Sequence, residues 1–174
     1  MVQNGNVIIR CEKADDRPTV RSVNLAAFGQ LSEADLVDRL QKEGVVLLSL
    51  LAVVGRNIVG HIVFSRMWID TAKGSIPAVA LAPMAVLPGH QRQGVGGRLI
   101  RSGLDWLRDR GEQIAIVLGH PDYYPRFGFE SAAKWGLTCR WPASADSFMA
   151  LELVPGSFGN QGGRVEYAQA FNVF

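Results

Sequence analysis

The sequence predicts an α+β fold of three layers, α/β/α, built on a mixed, mostly antiparallel sheet with helices on both faces. Three observations carry that reading. Two β-rich runs, at residues 45–54 and 58–69, flank a Gly-Arg-Asn turn, as an antiparallel hairpin requires. Two amphipathic helical stretches precede them, and residues 78–118 then read as a strand, a glycine loop, a helix and another strand. The 174 residues have the size of one domain, and no repeat, linker or low-complexity segment divides them, so a single domain over residues 1–174 is expected.

Residues 7–12 form the first strand. Asp15 and Asp16 are placed to cap a helix that Pro18 opens from its first turn and that runs towards Phe28. Ser32 reads as the N-cap of a second helix, whose Leu36, Val37 and Leu40 share one face and which stops near Gly44. The apolar run at 45–54 is β-branched and far shorter than the roughly 20 residues that cross a bilayer, so it is a buried strand. A further strand covers 78–86, but Pro83 inside it has no N–H to give to a ladder, which predicts a bulge, a distortion or an edge. Val95, Leu99, Leu104 and Leu107 then recur near helical spacing until Gly111, and 114–118 is again a buried strand. A short helix around Tyr124, a strand at 148–154 and a polar glycine-rich turn at 159–163 complete the chain.

Composition narrows the function. Eighteen lysines and arginines stand against 16 acidic residues, a net charge of +2, which provides no broad basic field for nucleic acid or for an anionic membrane surface. Cys11 and Cys139 have no CxxC or Cys/His spacing and read as two reduced thiols in a reducing cytoplasm. Residues 1–10 carry no basic segment followed by an apolar one, so no secretory signal is expected and the protein should be soluble. His61 within a strand and His90 beside the glycine loop read as packed or solvated imidazoles, and no metal site is expected.

The glycine stretch is the chemical signal. A helix N-terminus carries about four backbone N–H groups without intrahelical partners and the positive end of the dipole, so a loop without Cβ atoms lets a pyrophosphate reach those amides. Gly94, Gly96 and Gly97 give that access. Arg92 and Arg98 can add charge, and Gln91 can hold the loop or point its amide at the same anion. A Walker loop would need a lysine and a hydroxyl after the glycines, and a dinucleotide fingerprint would need a small residue where Leu99 stands. A tight strand-to-helix turn would use the same glycines, so the surroundings must decide.

The surroundings are LAPMAVLPGHQRQGVGGRLI at residues 81–100, which resembles the central motif of the GNAT superfamily of acyl-CoA-dependent N-acetyltransferases. The Gln/Arg-x-x-Gly-x-Gly/Ala hexapeptide is Gln91-Arg92-Gln93-Gly94-Val95-Gly96. VLGHPDYYPRFGFESA at 117–132 is similar to that family's next strand and its Tyr-x-x-x-Gly-Phe segment, and GHIVFS at 60–65 and SFMALELVPG at 147–156 extend the likeness to the YhbS-like branch over most of the chain. His120 is a departure, standing where that branch often has aspartate.

The resemblance implies a GNAT fold with a splayed parallel strand pair, acetyl-CoA as co-substrate and a primary amine as acceptor. Met84, Ala85 and Val86 would offer main-chain groups to the pantetheine, and an amide there would polarise the thioester carbonyl. Gln91, Arg92, Gln93, Gly94, Val95, Gly96, Gly97 and Arg98 would form the pyrophosphate loop. Tyr124 would be the general acid, with Tyr123 pointing elsewhere; Glu33 and His120 are further catalytic candidates. A first-turn glutamate such as Glu33 is also common simply because it favours the helix dipole. The partners implied are acetyl-CoA, an amine acceptor and a second copy of the chain in a homodimer. The alternatives are a non-catalytic acyl-CoA-binding sensor or interaction module, and an acyltransferase using a longer acyl-CoA.

Overall fold

The computed structural model describes residues 6–159 and 162–173. Strand β1 (Val7–Cys11) leads through a 3-10 turn into helix α1 (Arg17–Phe28). Asp16 stands at the N-cap of α1 but makes no side-chain cap; it accepts from the Lys13 N–H at 2.8 Å and is gripped by both Arg10 nitrogens at 2.6 and 2.8 Å. Helix α2 (Ser32–Glu43) begins with Ser32 already helical, so the cap falls one residue earlier than expected, on Leu31. The Ser32 hydroxyl instead donates to Glu33 at 3.2 Å. Both helices stop on glycines in the left-handed region, Gly29 at φ 71° and Gly44 at φ 74°, where a side chain would be strained.

Strands β2 (Val46–Val54), β3 (Asn57–Thr71) and β4 (Gly74–Val86) form two consecutive hairpins. The second is longer than the sequence suggested, because Gly74 at φ 125° turns the chain early and brings residues 74–77 into the ladder. Helix α3 (Val95–Asp109) and strand β5 (Ile114–Leu118) follow, then a 3-10 turn at Tyr124–Phe127, short strands β6 (Glu130–Ser131) and β7 (Leu137–Thr138), and strands β8 (Phe148–Glu152) and β9 (Gly163–Glu166). β8 ends at Glu152 rather than residue 154, since the Glu152 carboxylate accepts from the N–H groups of Gly156 and Phe158 and folds the chain into a turn. In the expected turn at 159–163, Asn160 and Gln161 lie outside the described residues, as do residues 1–5 of the N-terminal segment.

The sheet order is β1-β2-β3-β4-β5-β8-β6, with β9 beside β3 and β7 beside β9. Every pairing is antiparallel except β4 with β5 and β7 with β9. The β4–β5 pairing is confined to Val79 opposite Ala115 and Ala80 opposite Ile116. Past that point β5 stays paired with β8 as far as Leu118, while β4 stays paired with β3, so the two parallel strands part. Pro83 sits where they do. Leu81 faces Phe64 and Met84 faces Ile62, which leaves Ala82 and Pro83 together opposite Val63, a β-bulge at the residue that cannot donate.

Alternation along the central strands separates two cores. Ile114 and Ile116 of β5 pack with Leu51, Val63 and Met67 under α1 and α2, through Val20, Leu36, Val37 and Leu40. Ala115 and Val117 point the other way and pack with Ile62 and Phe64 under α3, through Val95, Leu99, Ile100 and Leu104. Each buried Val, Leu or Ile contributes roughly 1.5–3 kcal/mol, so both faces are firmly covered. α3 lies close enough to the sheet that a Cβ on Gly103 would fall 2.1 Å from the Phe64 ring.

A polar chain is sealed under α1 and α2. His61 is fully buried, and its Nδ1 meets the Asn24 amide nitrogen at 3.0 Å while its Nε2 meets the Ser49 hydroxyl at 2.9 Å. An amide donating to Nδ1 assigns the proton to Nε2, so His61 donates to Ser49, and Ser49 donates onward to Glu12. Gln41 donates to the other Glu12 oxygen at 3.0 Å. Burial pushes the Glu12 carboxyl up, but the contacts with His61, Ser49 and Gln41 outweigh it and hold it below its ordinary value.

Candidate active site

The loop after β4 is held from within. Leu87 donates to Val59 O at 2.9 Å, the Gln91 side chain to Val86 O at 3.0 Å and the Gln93 side chain to Gly89 O at 2.9 Å. Both glutamines are thus loop fasteners. Arg92 at φ 58° and Gly94 at φ 82° turn the chain into α3, whose first helical bond runs from Arg98 N–H to Gly94 O at 3.1 Å. The amides of Val95, Gly96 and Gly97 precede that bond and have no partner within the helix. Free amides with the helix dipole behind them have the chemistry to receive an anion.

These amides face a cleft of about 1050 Å³ that opens where β4 and β5 part. Met84, Val86, Gln91, Arg92, Gly94, Val95, Gly96 and Gly97 line it, and so do Tyr124, His120 and Glu33. Ala85, Gln93 and Arg98 do not reach its wall. Ala85 alternates with Met84 and Val86 along the strand and is buried. Arg98 turns its guanidinium away, to Val7 O at 3.3 Å.

Tyr124 is 8% exposed, edge-on to Phe129, and its ring lies over Gly119, where a Cβ would come within 2.3 Å of it. Burial, aided by Tyr123 beside it, pushes its hydroxyl well above the usual tyrosine value, so it is protonated at neutral pH. Tyr123 does not point elsewhere. It lines the same cleft, its ring 5.3 Å from that of Tyr124, and its hydroxyl lies over Gly96 so closely that a Cβ there would sit 2.7 Å away. Glu33 opens the first turn of α2 and accepts from the Gln30 amide at 3.0 and 3.1 Å. His120 is exposed at the end of β5, its carbonyl accepting the Tyr123 N–H at 3.0 Å.

Sequence reasoning missed two further groups. Arg101 folds back over Gly97 and stacks on Phe127 at 5.2 Å, and Arg126 stacks on Tyr123 at 4.7 Å; with Arg92 they make the loop end of the cleft cationic. The spacing of Arg101 four residues after Gly97 was the available signal. At the other end stand Phe28, Leu36, Trp141, Tyr167 and Phe171, with Tyr167 edge-on to Trp141 at 4.7 Å and to Phe171 at 4.9 Å. Among the described residues no helix is long and apolar enough to cross a membrane, and no three His, Cys, Asp or Glu side chains gather as a metal would require.

A parallel pair parted by a bulge, with a glycine-led helix N-terminus facing the gap, defines an acyltransferase architecture. Residues 9–132 match the acetyltransferase (GNAT) domain. The chain is 34% identical over 169 residues to the uncharacterized N-acetyltransferase YhbS of Escherichia coli strain K12, covering 97% of this chain and 100% of that protein. The crystal structure of Escherichia coli YhbS in complex with CoA superposes with a TM-score of 0.90 at 32% identity, covering 99% of this chain and 95% of that one. A GNAT family acetyltransferase from Brucella melitensis in complex with acetyl-CoA gives a TM-score of 0.80 at 32% identity, covering 97% of this chain and 99% of that one. The chain belongs to the GNAT acetyltransferase family and is an acyltransferase.

Proposed function

We propose that residues 1–174 form one N-acetyltransferase domain that moves the acetyl group of acetyl-CoA to a primary amine by direct attack in a ternary complex. The observation that carries this is a shared cleft: the glycine-led start of α3, a stretch of β4 without a partner on its β5 side, and Tyr124 all line it. The two relatives solved with CoA and acetyl-CoA support the same donor here.

The pyrophosphate sits on the amides of Val95, Gly96 and Gly97, with Arg92, Arg101 and Arg126 supplying charge. The pantetheine pairs with the β4 edge that β5 has left, around Met84 to Val86. A main-chain N–H on that edge stabilises the oxyanion that forms when the neutral amine attacks the thioester carbon. The tetrahedral intermediate then expels CoA thiolate. A thiol of pKa about 8.5 is a fair leaving group, and a tyrosine raised above about 10 is the weaker acid of the two. Tyr124 therefore acts chiefly by donating a hydrogen bond to the departing sulfur, a modest contribution. Glu33 and His120 are cleft groups able to take the proton that the ammonium must lose before attack.

Thiol release measured over a panel of amines with acetyl-CoA tests the reaction. Release with at least one amine, competed by free CoA and not by NADH or ATP, is expected. Calorimetric CoA binding with no thiol release for any amine would replace this reading with a non-catalytic acyl-CoA sensor, and tight NADH binding without CoA binding would overturn the assignment of the loop.

A further inference from the structure

The two ends of the cleft differ in chemistry. The three arginines among its described lining residues lie at the loop end: Arg92 in the loop itself, Arg101 over Gly97, and Arg126 on Tyr123, which itself sits over Gly96. Glu33 is the one acidic side chain among the described lining residues. It lies a turn before Leu36 on the same helix, and Leu36 packs in the core that holds Phe171. Phe28, from the end of α1, lines the same end and stays 40% exposed, an apolar surface that the chain itself leaves uncovered.

From this juxtaposition we infer that the acceptor is a monocationic primary amine on an apolar or aromatic body, its amine at Glu33 and its body against Phe28 and Phe171. The inference rests on the transferase reading above and narrows its acceptor. A polyamine or aminoglycoside would bring several ammonium groups to one carboxylate, leaving the others desolvated without partners. An amino acid would set its own carboxylate against Glu33, and the arginine at that end, Arg140, is exposed and stacked on the Trp141 ring at 4.3 Å rather than lining the cleft. One charge and one apolar body satisfy both surfaces. In the reaction the ammonium gives one proton to the Glu33 carboxylate, the nitrogen lone pair forms the C–N bond, the C–S electron pair leaves with the sulfur, and the second proton lost by the nitrogen passes to that thiolate, leaving a neutral amide and CoA thiol.

The test is calorimetric titration into protein saturated with CoA, using phenethylamine, phenethyl alcohol, phenylalanine and spermidine as probes. Phenethylamine is expected to bind at least about 10-fold more tightly than the other three, the difference that one charge pair or one buried ring makes. Glu33→Gln should reduce phenethylamine to the level of the alcohol, and both Phe171→Ala and the surface change Phe28→Ala should weaken it without altering CoA affinity. If the Phe171 variant fails to fold, the Phe28 variant carries the apolar arm alone. Tighter binding of spermidine or phenylalanine, or unchanged phenethylamine binding in both Glu33→Gln and Phe28→Ala, overturns the inference. A parallel thiol-release assay separates the two readings: phenethylamine bound as expected but never acetylated supports the seat and overturns the transferase reaction. Acetylation of spermidine alone overturns the seat and supports the reaction.

Discussion

Replacing Tyr124 by phenylalanine should slow the enzyme while leaving it at least as stable. The ring would keep its edge-on contact with Phe129 and its packing on Gly119, so no cavity forms. The lost hydroxyl has no hydrogen-bond partner among the described residues, and a poorly satisfied hydroxyl is a cost of about 1–3 kcal/mol in the folded state when fully buried. At 8% exposure only part of that applies, so a gain of up to about 1 kcal/mol is expected. Catalysis should move the other way. General acids are worth about 10²–10⁴-fold, but here the leaving thiolate is already stable and the raised phenol is a reluctant donor, which limits the loss in kcat to roughly 10–1,000-fold. The loss should shrink as pH rises through the alkaline range, where free thiolate needs no proton. Urea denaturation gives the stability, and thiol release across that pH range with one accepted amine gives the rate. An unchanged kcat with a large rise in KM for acetyl-CoA would refute the reasoning, because a transition-state donor alters turnover rather than ground-state binding.

Gly96→Val should weaken CoA strongly in a calorimetric titration while the protein unfolds cooperatively, since the new side chain crowds the helix entrance and its Cβ must displace the Tyr123 hydroxyl 2.7 Å away; wild-type affinity would remove the seat from Gly96. Gly103→Ala should cost about 1–3 kcal/mol in urea denaturation despite alanine's better helix propensity, because its Cβ would lie 2.1 Å from the buried Phe64 ring. Asp16→Asn should destabilise the protein at neutral pH. The carboxyl is held at about 2 by Arg10 and the Lys13 amide, below the usual value of about 3.9, so its stabilisation is complete above the latter and lost as pH falls through the former. The stabilities of the two proteins should converge in acid, as read by thermal melts over pH 2–7.

Much of the geometry at the loop end of the cleft was legible because its signals are local. Pro83 announced a defect in its own strand, and the observed bulge lies there. Gly94, Gly96 and Gly97 announced a bare helix entrance, although the structure adds a reason the chain alone did not show: Tyr123 needs the space over Gly96. That tyrosine was misplaced in the reading because it caps a one-turn 3-10 helix, where neighbouring residues can both reach one cavity. Ser32 looked like a cap by type, yet the helix begins one residue sooner and the hydroxyl turns to Glu33. The apolar end was illegible for a different reason. Phe28, Trp141 and the Tyr167–Phe171 pair come from three distant stretches, and only tertiary packing makes them neighbours. His61 gave no hint of its role, since nothing in the sequence ties it to Asn24, Ser49 and Glu12.

The parting of β4 from β5 leaves each strand anchored on its outer side, β4 by β3 and β5 by β8. Neither has to let go of a neighbour to admit a ligand, so the gap is a standing window through the sheet rather than a hinge. Its residues come from both cores, Val95 and Tyr124 on the α3 side, Leu36 and Phe171 on the side of α1 and α2. On the proposed reading a donor arriving from the α3 side and an acceptor arriving from the opposite side meet midway, each by its own route. Spent CoA can then withdraw past a product still in place, and a fresh donor can enter without waiting for the acceptor side to clear.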